Sequence, residues 1–297
     1  MRRGLAAATA AVFVALAMAG CGSTKDLEGS APSAGPTGGY QLKAASSLTG
    51  SVQAIKDKGK LVVGTKYDQP GFGLQNPTNQ QIEGFDAEIA RLISIKIFGS
   101  PDKVEFKEAK TAVREQVIQN GDVDIVVATY TINAARKEKI DFAGPYFQAG
   151  QDILVKKDNT SIKSVSDLTG KKVCTQQNST SLKNLTDKVP GLVPQTLDSY
   201  ALCAEGVKDG TYDALSTDNV ILLGLVSKSP DALKVINNPF TQEPYGIGLK
   251  KGDAALHGFV NDVLTEIYAN GDWDKAWAKT AGKFLPQAPA KPTVDRA

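Results

Sequence analysis

Within residues 123–146, VDIVVATYTINAARKEKIDFAGPY, two threonines, an asparagine and an arginine follow an apolar run at spacings that suit capture of a small carboxylate. Val123, Ile125, Val126, Val127 and Ala128 read as a parallel strand covered on both faces. Thr129 and Thr131 stand at its end, Asn133 is placed to cap a helix, and Arg136 falls in that helix's first turn. A guanidinium fork, threonine hydroxyls and free backbone N–H groups can converge there on one carboxylate. The plainer reading is a surface arginine paired with Glu138 or Asp141.

The elements that must hold this constellation alternate. Residues 61–65, 104–106, 152–156, 171–175 and 245–250 read as strands, while Phe85, Ile89, Leu92 and Ile93, and later Phe259, Val263, Ile267 and Tyr268, recur at helical spacing. Residues 117–125 and 206–214 repeat one pattern, a helix ending at glycine (Gly121, Gly210) and then an Asp-bearing strand. Thr217 ends the second strand as Thr129 and Thr131 end the first. This alternation predicts an α/β fold of two lobes with largely parallel sheets, and ligands bind such sheets beyond the strands' carboxyl ends.

Arg2 and Arg3, the apolar residues 5–19 and LAMAGC at 16–21 have the form of an export signal ending at Cys21. Cys21 fits a lipobox, which implies acylation of its sulfur; an ordinary signal with an incidental cysteine is the alternative. Without Arg2 and Arg3 the chain has 32 basic and 32 acidic residues, so nothing in its charge attracts nucleic acid. Residues 21–49 are expected to form a flexible tether and 286–297 a disordered tail, from their Gly, Ser, Pro and Thr content.

Together with Gly84-Phe85-Asp86-Ala87-Glu88-Ile89, the 123–146 stretch resembles the polar amino-acid family of bacterial ABC-transporter substrate-binding proteins. The resemblance covers residues 50–285. Lys66-Tyr67-Asp68-Gln69-Pro70-Gly71-Phe72-Gly73 is similar to the glutamate-binding lipoproteins of single-membrane bacteria, whereas Ala87, Ser94 and Thr111 depart from the family pattern. Many relatives carry a ligand-covering aromatic where Thr111 stands.

The resemblance implies a periplasmic-binding-protein-like fold with its ligand between lobes: signal peptide 1–20, lobe I from 50–149 and 245–285, lobe II from 150–244. It implies that Arg136 and Thr131 take the ligand's α-carboxylate, Thr129 helps through its backbone, and Asp218 takes the α-ammonium. Asp218 is equally placed to cap the helix it precedes. Thr180 and Ser181 open another helix and could accept a carboxylate or serve only as caps. Lys66, where relatives select the ligand's side chain, favours an anion, with Arg114 as a second cation; solvated charges are the alternative for both. Phe72 could touch the ligand's methylenes or pack in the core.

If Cys21 is lipidated, Cys174 and Cys203 remain as one pair in an oxidising compartment, expected as a disulfide, with two buried thiols as the other reading. His257 has no companions for metal or catalysis, and Trp273 and Trp277, four apart, suggest packing. No Gly-x-Ser-x-Gly, Walker, zinc-ligand or complete Gly-x-Gly-x-x-Gly motif is present. The expectation is a cofactor-free, monomeric receptor, not an enzyme. It would be lipid-anchored outside the cytoplasmic membrane and deliver an acidic amino acid, glutamate before aspartate or glutamine, to ABC permease subunits. An amino-acid sensor signalling to a membrane partner is the runner-up.

Overall fold

The computed structural model describes residues 37–285 and 288–296; the signal peptide, Cys21 and most of the tether lie outside the described residues. In chain order, α1 (Gly50–Lys58) leads into β1 (Leu61–Thr65), the short strands β2 (Asp68–Gln69), β3 (Gly73–Gln75) and β4 (Ile82–Glu83), and α2 (Phe85–Phe98). There follow β5 (Val104–Glu108), α3 (Arg114–Asn120), β6 (Ile125–Val126), α4 (Ala134–Lys137), β7 (Asp141–Ala149) and β8 (Gln151–Lys156). Next come β9 (Val173–Gln176), α5 (Thr180–Lys188), β10 (Gln195–Leu197), α6 (Tyr200–Asp209), β11 (Ala214–Asp218) and α7 (Asn219–Val226). The chain then forms β12 (Leu233–Val235), β13 (Glu243–Leu249), α8 (Ala254–Asn270) and α9 (Asp272–Lys279).

Two five-stranded sheets organise these elements, ordered β5-β1-β6-β13-β7 and β10-β9-β11-β8-β12. All five residues of β1 are buried, as a strand between parallel neighbours requires. The sheets are less parallel than the alternation predicts. β13 runs antiparallel to both β6 and β7, and β8 antiparallel to both β11 and β12. The cause is the chain's double passage between sheets, at Gly150 and again between β12 and β13, which delivers strands in the opposite direction. The two passages touch: Gln151 N donates to Thr241 Oγ1 (2.9 Å) and Phe240 N to the Gln151 carbonyl (2.9 Å). A Cβ at Gly150 would stand 2.8 Å from the Thr241 carbonyl oxygen.

Lobe I is built on an aromatic core. Phe72, fully buried, meets the rings of Phe85, Phe147 and Tyr245 at 6.0, 5.4 and 6.2 Å, so it packs in the core. Trp273 and Trp277 stack at 6.1 Å, and both pack edge-on against Phe85. In lobe II the structure joins Cys174 of β9 to Cys203 of α6, with Cα atoms 5.6 Å apart.

Both segments expected to be loose are partly packed. Leu42 is fully buried, and the Asp272 carboxylate accepts from the backbone N–H groups of Gln41 and Leu42 (2.8 Å each), so order begins before residue 50. Residues 288–296 are not a free tail. Asp295 N donates to the Gly144 carbonyl at 2.7 Å, Lys291 pairs with Asp274 and Arg296 with Asp262, and Val294 packs against the core. Composition hid this because the anchoring groups are few and their partners are distant in sequence.

Candidate functional site

Polar residues at the ends of β1, β6 and β11 meet at the interface of the two lobes. Lys66 directly follows β1, is 2% exposed, and donates Nζ to Thr111 Oγ1 at 2.7 Å. Thr111 in turn donates to Gln176 Oε1 of lobe II, also at 2.7 Å. Burial, and then the neighbouring Arg114, push the Lys66 amine down to about 7, although Asp68 and Glu108 pull it upward.

Thr129 is held in a left-handed conformation, φ 44°, costly for a β-branched residue. Asp86 holds it there: Oδ2 accepts from Thr129 N (2.9 Å) while Oδ1 accepts from the Tyr146 hydroxyl (2.6 Å). The Thr129 backbone N–H, expected to serve a ligand, is therefore already engaged. Gly84 puts Asp86 in reach, since a Cβ there, at φ 121°, would lie 2.1 Å from the Phe72 carbonyl oxygen. The Gly84-Phe85-Asp86 signature thus supports the site from behind.

Arg114, on the first residue of α3, donates Nη1 to the Ala128 carbonyl (3.0 Å) and lies 3.7 Å from the Tyr130 ring centroid. Arg136 lies 5.0 Å from the same centroid, so two guanidiniums share one aromatic ring. Asn133 caps α4 by accepting from Arg136 N at 2.9 Å. The Arg136 side chain donates to the Thr131 carbonyl (2.7 Å) and pairs with Glu115 (3.4 Å), neither Glu138 nor Asp141. Burial and Arg114 push Arg136 down to about 10. The Thr131 hydroxyl, expected to meet the ligand's carboxylate, donates instead to Glu243 Oε2 at 2.8 Å.

Lobe II supplies the opposite pole. Asp218 precedes α7 without capping it. Its Oδ2 accepts from the Tyr245 hydroxyl at 2.6 Å, and its buried Oδ1 has no hydrogen-bond partner among the described residues. Burial, reinforced by Glu243, pushes the Asp218 carboxyl up to about 7. Ser179 caps α5 by accepting from Leu182 N (3.0 Å), which leaves the Thr180 hydroxyl free of the capping role. Ser181 donates to Thr217 Oγ1 at 3.2 Å.

Arg114, Thr129, Thr131, Thr180, Ser181 and Asp218 line one enclosed cavity of about 10 Å³, room for about one water. Gln69, Thr111, Tyr200 and Ile221 line it too. Lys66 is not on that wall and reaches it through Thr111. Arg136 lines a wider groove of about 690 Å³ at the cleft mouth, which shares Ser179 and Thr180 with the cavity. Two of the buried atoms lacking partners are donors, Gln69 Nε2 and Arg114 Nε, and Asp218 Oδ1 is an acceptor. Buried groups of this kind call for complementary partners.

Residues 61–283 match the bacterial extracellular solute-binding proteins, family 3. The chain belongs to that family. The ABC transporter glutamine-binding protein GlnH of Bacillus subtilis is 39% identical over 280 residues, 94% of this chain and 97% of that protein. The glutamate-binding protein GluB of Corynebacterium glutamicum is 38% identical over 242 residues, 77% of this chain and 81% of that one. Among solved structures, an ancestral arginine-binding protein bound to glutamine superposes with a TM-score of 0.70 at 37% identity, covering 77% of this chain and 99% of that one.

For a family 3 solute-binding protein the arrangement makes chemical sense: a cationic pole from lobe I faces a carboxylate of lobe II. Sequence alone does not single out Gln69, Tyr200 or Ile221 as lining residues. Tyr200 and Ile221 open helices that follow strand ends, the same signal that marks Arg136 and Thr180. Gln69 had only a turn position to mark it.

Proposed function

We propose that this chain is the extracytoplasmic receptor of an ABC importer for an acidic amino acid, glutamate first, then aspartate or glutamine. One observation carries the ligand class: among the described residues, Arg114 Nε and Asp218 Oδ1, whose residues line one cavity, are buried without a hydrogen-bond partner, close to the buried cations Lys66 and Arg136. Arg114 Nε on the lobe I side thus calls for an acceptor and Asp218 Oδ1 on the lobe II side for a donor. An amino acid supplies both, its ammonium to Asp218 and its α-carboxylate to Arg136 and Arg114. A second carboxylate on the side chain gives Lys66 a partner that an amide cannot. The glutamine- and glutamate-binding relatives support an amino-acid ligand with this side-chain skeleton.

The receptor is held at the outer face of the cytoplasmic membrane by lipid on Cys21 and works as a monomer. Calorimetric titration with the twenty amino acids tests the ligand, with glutamate expected to bind most tightly; a preference for arginine or an apolar amino acid overturns it. Cys21→Ser should release the protein from membranes with binding intact, and unchanged retention overturns the anchor.

A further inference from the structure

Helix α7 carries a glycine, Gly224, near its end, although glycine is the poorest helix former after proline. Gly224 is not among the glycines with positive φ, so its own backbone does not demand glycine. The other lobe does. A Cβ at Gly224 would stand 2.3 Å from the Pro70 carbonyl oxygen and 3.2 Å from its carbonyl carbon. Both are backbone atoms, which cannot swing aside as a flexible side chain would.

Pro70 belongs to a short segment of lobe I gripped at two points by lobe II. Asp68 Oδ2 accepts from Ser199 Oγ at 2.6 Å, at the start of α6, and Pro70 abuts Gly224. Between them, Gln69 lines the cavity. On α7 the matching positions are three apart: Asp218 and Ile221 line the cavity and Gly224 meets Pro70, a spacing that keeps residues on one helix face. One pair of segments thus joins the cavity wall to a point where the two lobes meet backbone to backbone with no room for a Cβ.

We propose that Gly224 and Pro70 form the closure stop of this receptor. The absence of a side chain at 224 sets how near the lobes come, and so how completely the cavity seals around its ligand. A methyl group there would hold the lobes apart at this point without altering any side chain of the cleft itself. The inference rests on the reading of the cleft as an amino-acid site.

The test compares wild type, Gly224→Ala and Gly258→Ala, using glutamate as the probe. Gly258 lies in α8, and a Cβ there meets nothing within 4 Å, so its variant carries the same gain in helix propensity without the contact. Both variants should raise the ligand-free Tm by about 2–4 °C. Only Gly224→Ala should weaken glutamate, by roughly 10- to 100-fold as overpacking costs translate into affinity, and shrink the ligand-induced fall in radius of gyration seen by small-angle scattering. If Gly224→Ala binds and closes like Gly258→Ala, the stop is refuted. A lowered ligand-free Tm for Gly224→Ala also refutes it, because the contact would then belong to the free protein. If wild type binds no amino acid, the reading of the cleft fails first, a result distinct from either.

Discussion

Lys66 and Arg114 repel each other in a cleft closed to water, and neither can leave. Lys66 is 2% exposed and Arg114 4%, and at such sites the charged form is maintained only by nearby opposite charge. In the proposed site Arg136 takes the ligand's α-carboxylate and Lys66 its side-chain carboxylate. Arg136→Met is expected to weaken glutamate and glutamine alike, by roughly 2–5 kcal/mol in calorimetry, since both carry the same α-carboxylate; a selective loss of one contradicts that role. Asp86 affords a pH test. Burial pushes its carboxyl from 3.8 to about 6 despite hydrogen bonds from Tyr146 and Thr129. The folded protein therefore holds a proton that the unfolded chain releases in this range. The associated stability is fully present below pH 3.8 and is lost as pH rises through about 6. Urea unfolding of Asp86→Asn should show a shallower decline over that window than wild type, and an identical slope refutes it.

The elements divide into those the sequence announces and those it conceals. β1, α2 and α8 stand within a residue or a few of their expected places because their patterns are long and periodic. So does the N-cap Asn133, whose side chain acts within its own helix turn. Asp86 is different: its partner Thr129 lies 43 residues away, and no local pattern reports a contact of that range. The same holds for the Thr111–Gln176 bridge and for residues 288–296, whose anchors lie on α8, α9 and β7. Sequence alone balances Asp218 between cap and ligand contact; the structure shows that it does not cap α7 and instead accepts from Tyr245 on β13, 27 residues away. The disulfide needed only cysteine arithmetic. It spans a sequence separation of 29, for which loop entropy gives about 3–4 kcal/mol. The Cys174→Ser/Cys203→Ser variant should lose about that much in urea unfolding, and undiminished stability would show that the bridge constrains nothing.

Across the whole molecule, ligand chemistry and lobe closure are one problem. The cationic groups rise from lobe I, whereas Asp218, Thr180 and Ser181 belong to lobe II. With room for about one water, the enclosed cavity would admit an amino acid only if the lobes parted. Lys66 is buried beside Arg114, and Asp218 Oδ1 has no hydrogen-bond partner among the described residues; on the proposed reading an acidic amino acid would supply partners to both, the differential binding that shifts a conformational equilibrium. Titration of wild type and Lys66→Met with glutamate and with glutamine, at one pH and salt concentration, examines this most directly. Wild type is expected to prefer glutamate, and the substitution to weaken glutamate by roughly 2–5 kcal/mol while changing glutamine much less. Equal losses for the two ligands, or no loss for either, would contradict an acidic ligand.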